Sequence, residues 1–256
     1  MSLDRTRRFE TLVGGISIGS EEITAGTLTG RFIDLTDGRE VIVSNRHVLE
    51  GVPGKTLVLQ PGKYDGGKPS EDAVGKVKRL AKFDSDKPLP WWKKIICFLF
   101  GWILDEWCYP EKTPNRLDAG VATFEPTDLK RVLKGGVYMD DGSIIKVKYT
   151  VDGDEIVGAK VWKSGRTTGV TIGTVVDDKA SVKVWYGNVW RVFEDVVLVK
   201  GLARGGDSGS PVFLMLNQQP SEDDALCGIL FAGSSEYWVH CKYKYLESIL
   251  KVRWAP

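Results

Sequence analysis

Gly205-Gly206-Asp207-Ser208-Gly209-Ser210-Pro211-Val212-Phe213 places a serine between glycines and follows it with an apolar run. A serine hydroxyl is a poor nucleophile until a base takes its proton and donors stabilise the oxyanion that forms. Glycines ahead of Ser208 let the backbone turn so that amide groups face a reacting carbonyl, and the candidates are those of Gly206 and Ser208. The apolar residues after the loop return the chain to a strand. Such a nucleophile needs a base, and the sequence has two histidines, His47 and His240. His47 follows a β-branched run in Val43-Ser44-Asn45-Arg46-His47-Val48-Leu49. His240 lies well past the serine and reads as a surface or core residue. Asp118 lies in Leu117-Asp118-Ala119-Gly120-Val121-Ala122, at the start of another apolar run.

Composition narrows what else the chain could be. Its 256 residues suffice for one large all-β domain or two small ones around a shared cleft. Lys and Arg number 35 against 34 for Asp and Glu, so no net field draws nucleic acid, and no nucleic-acid partner is expected. Cys97, Cys108, Cys227 and Cys241 show no Cys-x-x-Cys spacing, and two histidines are too few to build a metal site around them. Small buried thiols are expected in preference to two disulfides. The first eight residues lack the apolar stretch of a signal peptide, which favours a cytoplasmic location over a secreted mature form.

Strand signals dominate. Ile145 to Val151 alternates apolar and polar residues, the period-2 pattern of a half-buried strand, and Ser181 to Tyr186 repeats it with Val182, Val184 and Tyr186 on one face. Asp37-Gly38, Asp141-Gly142, Asp152-Gly153 and Gly187-Asn188 mark turns. One helix is predicted, after His240 and ending the chain, with Tyr245, Leu246, Ile249 and Leu250 on its apolar side. Leu129 to Gly136 forms the linker between halves, hinged at Lys134-Gly135-Gly136. Residues 85–115 differ from the rest: they hold four of the nine tryptophans and an apolar run from Ile95 to Leu104. That run is shorter than the roughly 20 residues needed to cross a bilayer. An insertion packed on the body is expected, with a membrane-surface or protein contact as the alternative.

Three motifs resemble those of trypsin-like serine peptidases in the order His, Asp, Ser. Gly-Asp-Ser-Gly with Ser210 and Pro211 looks like the nucleophile loop, in the version similar to bacterial glutamyl-endopeptidase-like members. The segment around His47 resembles the family's strand-Ala-Ala-His-Val, with Asn45 and Arg46 replacing the small residues. Leu117 to Ala122 resembles its Asp-Ala-Ala-Ile-Ala strand. Lys163 to Val175 looks like a segment of the second barrel in the bacterial enzymes. Gly228 to Gly233 resembles the strand that lines the substrate cleft. Leu12-Val13-Gly14-Gly15 is similar to the activated terminus of zymogen-derived members, but here it reads as a plain first strand, with Arg204 as a candidate partner for Asp207.

The resemblance implies an all-β fold of two antiparallel β-barrels, 12–130 with the insertion 85–115 and 136–256 with the terminal helix. It implies a serine endopeptidase with catalytic His47, Asp118 and Ser208 and an oxyanion hole at Gly206 and Ser208. Peptide or protein substrates would then bind along Phe231, Ala232 and Gly233 without a cofactor. The subsite floor would fall at Leu202 and Ala203, where no carboxylate awaits a Lys or Arg side chain. An esterase on the same triad, or a peptidase-fold interaction module, are the alternatives.

Overall fold

The computed structural model describes residues 4–23, 25–83, 114–187 and 189–256. Most of the insertion expected over 85–115 lies outside the described residues, with its four tryptophans, Cys97, Cys108 and the membrane or partner contact expected of it.

The first half of the chain supplies β1 (Thr11–Gly14), β2 (Ser17–Ser20), β3 (Gly26–Thr27), β4 (Gly30–Asp34) and β5 (Glu40–Ser44). It continues with β6 (Leu57–Leu59), the short helix α1 (Pro69–Asp72), β7 (Ala73–Leu80) and β8 (Gly120–Thr123). The second half supplies β9 (Val132–Tyr138), β10 (Ile144–Ile145), β11 (Tyr149–Thr150), β12 (Lys160–Gly165), β13 (Gly169–Trp185) and β14 (Trp190–Lys200). It ends with β15 (Pro211–Leu214), β16 (Ala225–Gly233), β17 (Tyr237–Lys242), helix α2 (Tyr243–Ser248) and β18 (Val252–Trp254).

Seven strands of the first half and β18 form one antiparallel sheet in the order β18-β4-β5-β8-β7-β6-β2-β3. Only Leu28 and Thr29 separate β3 from β4, so the chain itself joins the two sides of the sheet and curls it. Thr29 N donates to Val43 O (2.9 Å) and Leu28 N to Ile16 O (2.8 Å) across the closure. In the second half the order is β11-β16-β15-β12-β13-β14-β17, and β17 also pairs with β16. That pairing closes a six-stranded antiparallel barrel, which leaves no free edges around the ring. Phe32, Val43 and Val121 from the first half and Trp162, Phe193, Phe213 and Phe231 from the second share one buried apolar cluster, so the halves meet on a common core. Both chain ends reinforce the seam, because β1 pairs in parallel with β9 and the final strand β18 returns to β4.

Several local expectations change in three dimensions. Ile145 to Val151 is not one strand: Ile145 pairs with β9 and Tyr149 with β16, and Val147 between them is fully buried. The alternation breaks at Tyr149, which is 55% exposed, as the segment crosses from one sheet to another. The Gly135-Gly136 hinge is instead part of β9; a Cβ at Gly135 would stand 1.9 Å from the carbonyl carbon of Pro256, so glycine admits the C-terminus there. The terminal helix is present but short, and Lys251 in the left-handed region (φ 57°) turns the chain into β18 rather than ending it. Asp152-Gly153-Asp154 is no hairpin turn, for Asp154 instead pairs with Lys242 and Lys244.

Candidate active site

The nucleophile loop is pinned from both halves of the molecule. Thr27 N donates to Ser208 O (2.7 Å), Thr27 Oγ1 to Gly206 O (2.8 Å) and Thr29 Oγ1 to Gly209 O (2.7 Å). Gly209 adopts φ 96°, and a Cβ there would meet Thr27 O at 2.0 Å, so only glycine fits. Among the described residues, the amides of Gly206 and Ser208 have no hydrogen-bond acceptor. Ser208 Oγ points toward Phe231 O at 3.4 Å, a long contact that leaves the hydroxyl weakly held.

Asp207 is fully buried beside the serine, and the Lys163 to Gly169 segment forms its seat. Oδ1 accepts from Thr167 N and Thr168 N (both 3.0 Å), and Oδ2 from Thr168 Oγ1 (2.7 Å) and Arg204 N (2.9 Å). The cation is Lys163, whose Nζ lies 3.4 Å from Oδ2 and donates to Gly169 O (2.9 Å). Arg204, the expected partner, contributes only its backbone amide; its side chain is exposed and faces the cleft. Burial pushes the Lys163 ammonium down to about 8 against the pull of Asp207. Leu12 to Gly14 belongs to strand β1, which pairs with β9, as expected of a plain first strand.

His47 sits on the tight turn after β5, where Val48 N and Leu49 N both donate to Asn45 O. The replacements Asn45 and Arg46 have structural roles: Asn45 Nδ2 donates to Asp118 O (2.6 Å), and Arg46 stacks on Phe83 while donating to Ala81 O. His47 Nδ1 and Asp118 Oδ2 are 2.6 Å apart, and His47 N donates to Oδ1 (3.3 Å). Asp118 has no exposure, and its own amide donates to Cys241 Sγ (3.3 Å). Burial alone would push the imidazole down, but the adjacent Asp118 charge and hydrogen bond raise it above its ordinary value. Burial likewise works against the carboxylate, and the His47 charge, its hydrogen bond and that of Tyr186 hold it below the usual range. Tyr186 is the residue that sequence reading missed. Its side-chain pattern marked it as an inward-facing strand position, and nothing local showed that it reaches Asp118.

Arg46, His47, Glu50 and Phe83 from the first half face Val184 to Gly187, Arg191, Arg204, Gly205, Ser208 and Leu230 to Gly233 from the second across an open cleft of about 810 Å³. Phe231, Ala232 and Gly233 therefore line it as expected, whereas Leu202 and Ala203 do not. Ala203 is buried, its amide bonded to Ser234 O, and a Cβ on Gly233 would meet its side chain at 2.7 Å. His240 is a fully buried residue of β17, where burial pushes it down to about 3 and keeps it neutral. Cys227 and Cys241 are buried free thiols.

The seat of Asp207 is testable by stability alone. Lys163→Met leaves a carboxylate in the core with amide donors but no cation. It should lower the unfolding free energy in urea by about 3 kcal/mol. An unchanged midpoint and slope would show that the amides suffice.

No protein-family model matches the sequence, and no curated protein matches it. Solved structures do. A glutamic acid specific serine protease described as using a histidine triad in substrate binding has 18% identity and a TM-score of 0.60, covering 95% of this chain and 100% of its own. Protease A of Thermobifida fusca has 15% identity and a TM-score of 0.59, covering 95% and 97%. A Cellulomonas bogoriensis chymotrypsin has 14% identity and a TM-score of 0.58, covering 96% and 98%. With two closed or curled antiparallel sheets meeting at a cleft, the chain has the fold of the chymotrypsin-type, trypsin-like serine peptidases.

Proposed function

We propose that this chain is a serine endopeptidase that cleaves peptide bonds through an acyl-enzyme formed on Ser208. The observation that carries the reading is the 2.6 Å contact between His47 Nδ1 and the buried carboxylate of Asp118, on the same cleft as Ser208. In this reading the carboxylate fixes the tautomer that leaves Nε2 free to accept a proton. Rotation of the weakly held Ser208 side chain toward Nε2 completes the relay. His47 takes the hydroxyl proton as Oγ attacks the carbonyl and returns it to the leaving amine. The unengaged amides of Gly206 and Ser208 then stabilise the oxyanion, each worth about 3 kcal/mol in comparable sites. Water, activated by His47 in the same way, releases the acyl group.

Substrate choice follows from the charges around the cleft. Among the described residues, three arginines, Arg46, Arg191 and Arg204, line it together with one carboxylate, Glu50. A Lys or Arg side chain before the scissile bond would meet those arginines with Glu50 as the one carboxylate lining the cleft among the described residues. Uncharged residues are expected there, and acidic ones are tolerated next to Arg204. The glutamic acid specific relative is described as using three histidines for binding; this chain has two, and one is His47, so any recognition of acidic side chains here rests on arginine.

Ser208→Ala should abolish labelling by a fluorophosphonate probe and peptide hydrolysis while the circular dichroism spectrum stays unchanged. Retention of more than a small fraction of hydrolysis would exclude Ser208 as the nucleophile.

Because Asp118 raises the imidazole, kcat/KM should climb with pH through a value above the ordinary histidine figure of about 6.5. Asp118→Asn should cost on the order of 10⁴ in kcat by favouring the wrong tautomer. A flat profile together with an unimpaired Asn variant would contradict the relay.

In a peptide series varied only at the residue before the scissile bond, Lys and Arg should be the poorest substrates, by about tenfold or more against Leu or Phe. Arg204→Ser should narrow that gap roughly threefold, as expected for an exposed charge. Highest kcat/KM for Lys or Arg would overturn the assignment.

A further inference from the structure

Beside the histidine, a second side-chain donor, a hydroxyl, closes on the carboxylate of Asp118. Tyr186 stands at the end of β13, at the tip of the long β13–β14 hairpin, and belongs to the opposite half of the molecule. Its phenol donates to Asp118 Oδ2 at 2.6 Å, the same oxygen that lies 2.6 Å from His47 Nδ1. The ring packs edge-on against His47, centroids 5.5 Å apart, and against Phe83 at 5.8 Å, and it stacks on Phe193 at 6.0 Å. Arg191 lies over both Tyr186 and Phe83. The hairpin is fastened to the chain that leads into Asp118, since Asn115 N donates to Val192 O (3.0 Å) and Glu194 N to Asn115 O (2.9 Å).

We propose that Tyr186 is a positioning residue of the triad: its hydroxyl, delivered by the second half's hairpin, orients the Asp118 carboxylate and shares its charge, and thereby sets the basicity of His47. The proposal rests on the peptidase reading above. The Tyr186 bond joins those of His47 Nδ1 on the same oxygen and of His47 N on Oδ1, so donors from both halves fix the carboxylate and hold the imidazole in the orientation that presents Nε2 to the cleft. A donor to the carboxylate also disperses negative charge that would otherwise stabilise the imidazolium. Burial and the neighbouring Asp118 charge push the phenol far above its ordinary range, so it remains a donor throughout the pH range of the reaction. The other ionisable groups facing the pair are Glu50, whose charge raises His47, Arg191 over the Tyr186 ring, and the buried thiol of Cys241, which burial pushes up.

The test separates a chemical role for the hydroxyl from a packing role for the ring. Tyr186→Phe keeps the ring contacts and removes only the donor. It should lower kcat about tenfold with little change in KM and move the acid limb of kcat/KM to higher pH. Replacing Tyr186 with 3-fluorotyrosine, a stronger acid of nearly the same shape, should move that limb to lower pH. The second substitution also serves if the Phe variant fails to fold. In a Ser208→Ala background, the His47 Nδ1 proton resonance should shift in both variants, a readout that needs no turnover. If the wild type labels with a fluorophosphonate and both variants keep its acid limb and its Nδ1 resonance, the inference fails while the peptidase reading stands. If the wild type itself does not label, both fall.

Discussion

A carboxylate sealed from water governs this molecule. Asp118 has no exposure, and an isolated charge in that position would cost several kcal/mol. It is stable only because donors from separate parts of the chain converge on it: His47 from the turn after β5 and Tyr186 from the hairpin of the other half. The common core of Phe32, Val43, Trp162, Phe193 and Phe213 brings those parts together, and it leaves the imidazole on the cleft side. The buried carboxylate thus ties the two halves together, because one of its donors comes from each.

The loop bearing Ser208 repeats the principle with a second buried carboxylate. Asp207 draws three backbone amides, the Thr168 hydroxyl and the Lys163 ammonium around itself, and the loop that follows adopts the turn that leaves the Gly206 and Ser208 amides unengaged. Thr27 and Thr29 from the first half hold the outer face of the same loop. Buried charge inside the molecule thus fixes the shape of the loop. The ends of the chain instead reinforce the seam through β1 on β9 and β18 on β4.

Departures from the sequence expectations share a cause. Periodicity assumes that one strand keeps one face inward, so it fails over Ile145 to Val151, which belongs to two sheets and leaves Tyr149 exposed. Glycine reports a need for backbone room but not its reason. At Gly135 the reason is the passing C-terminus rather than a hinge. The count of residues before Ser208 placed Leu202 and Ala203 at the cleft floor, whereas the loop's path buries Ala203 away from the cleft lining and sends Arg204 to it.

The sequence by itself determined the all-β character, the candidate triad His47, Asp118 and Ser208, and the cleft strand Phe231 to Gly233, because each of these is written in contiguous residues whose local chemistry is distinctive. Only the tertiary structure decided that Lys163 partners Asp207 and that Tyr186 meets Asp118. Those partners are 44 and 68 residues apart, and a lysine or tyrosine in an alternating strand looks the same whether it ends in solvent or on a buried carboxylate. The physical reason is that burial of charge is a property of the closed fold: the donor that satisfies it is chosen by proximity in space, which no local pattern encodes.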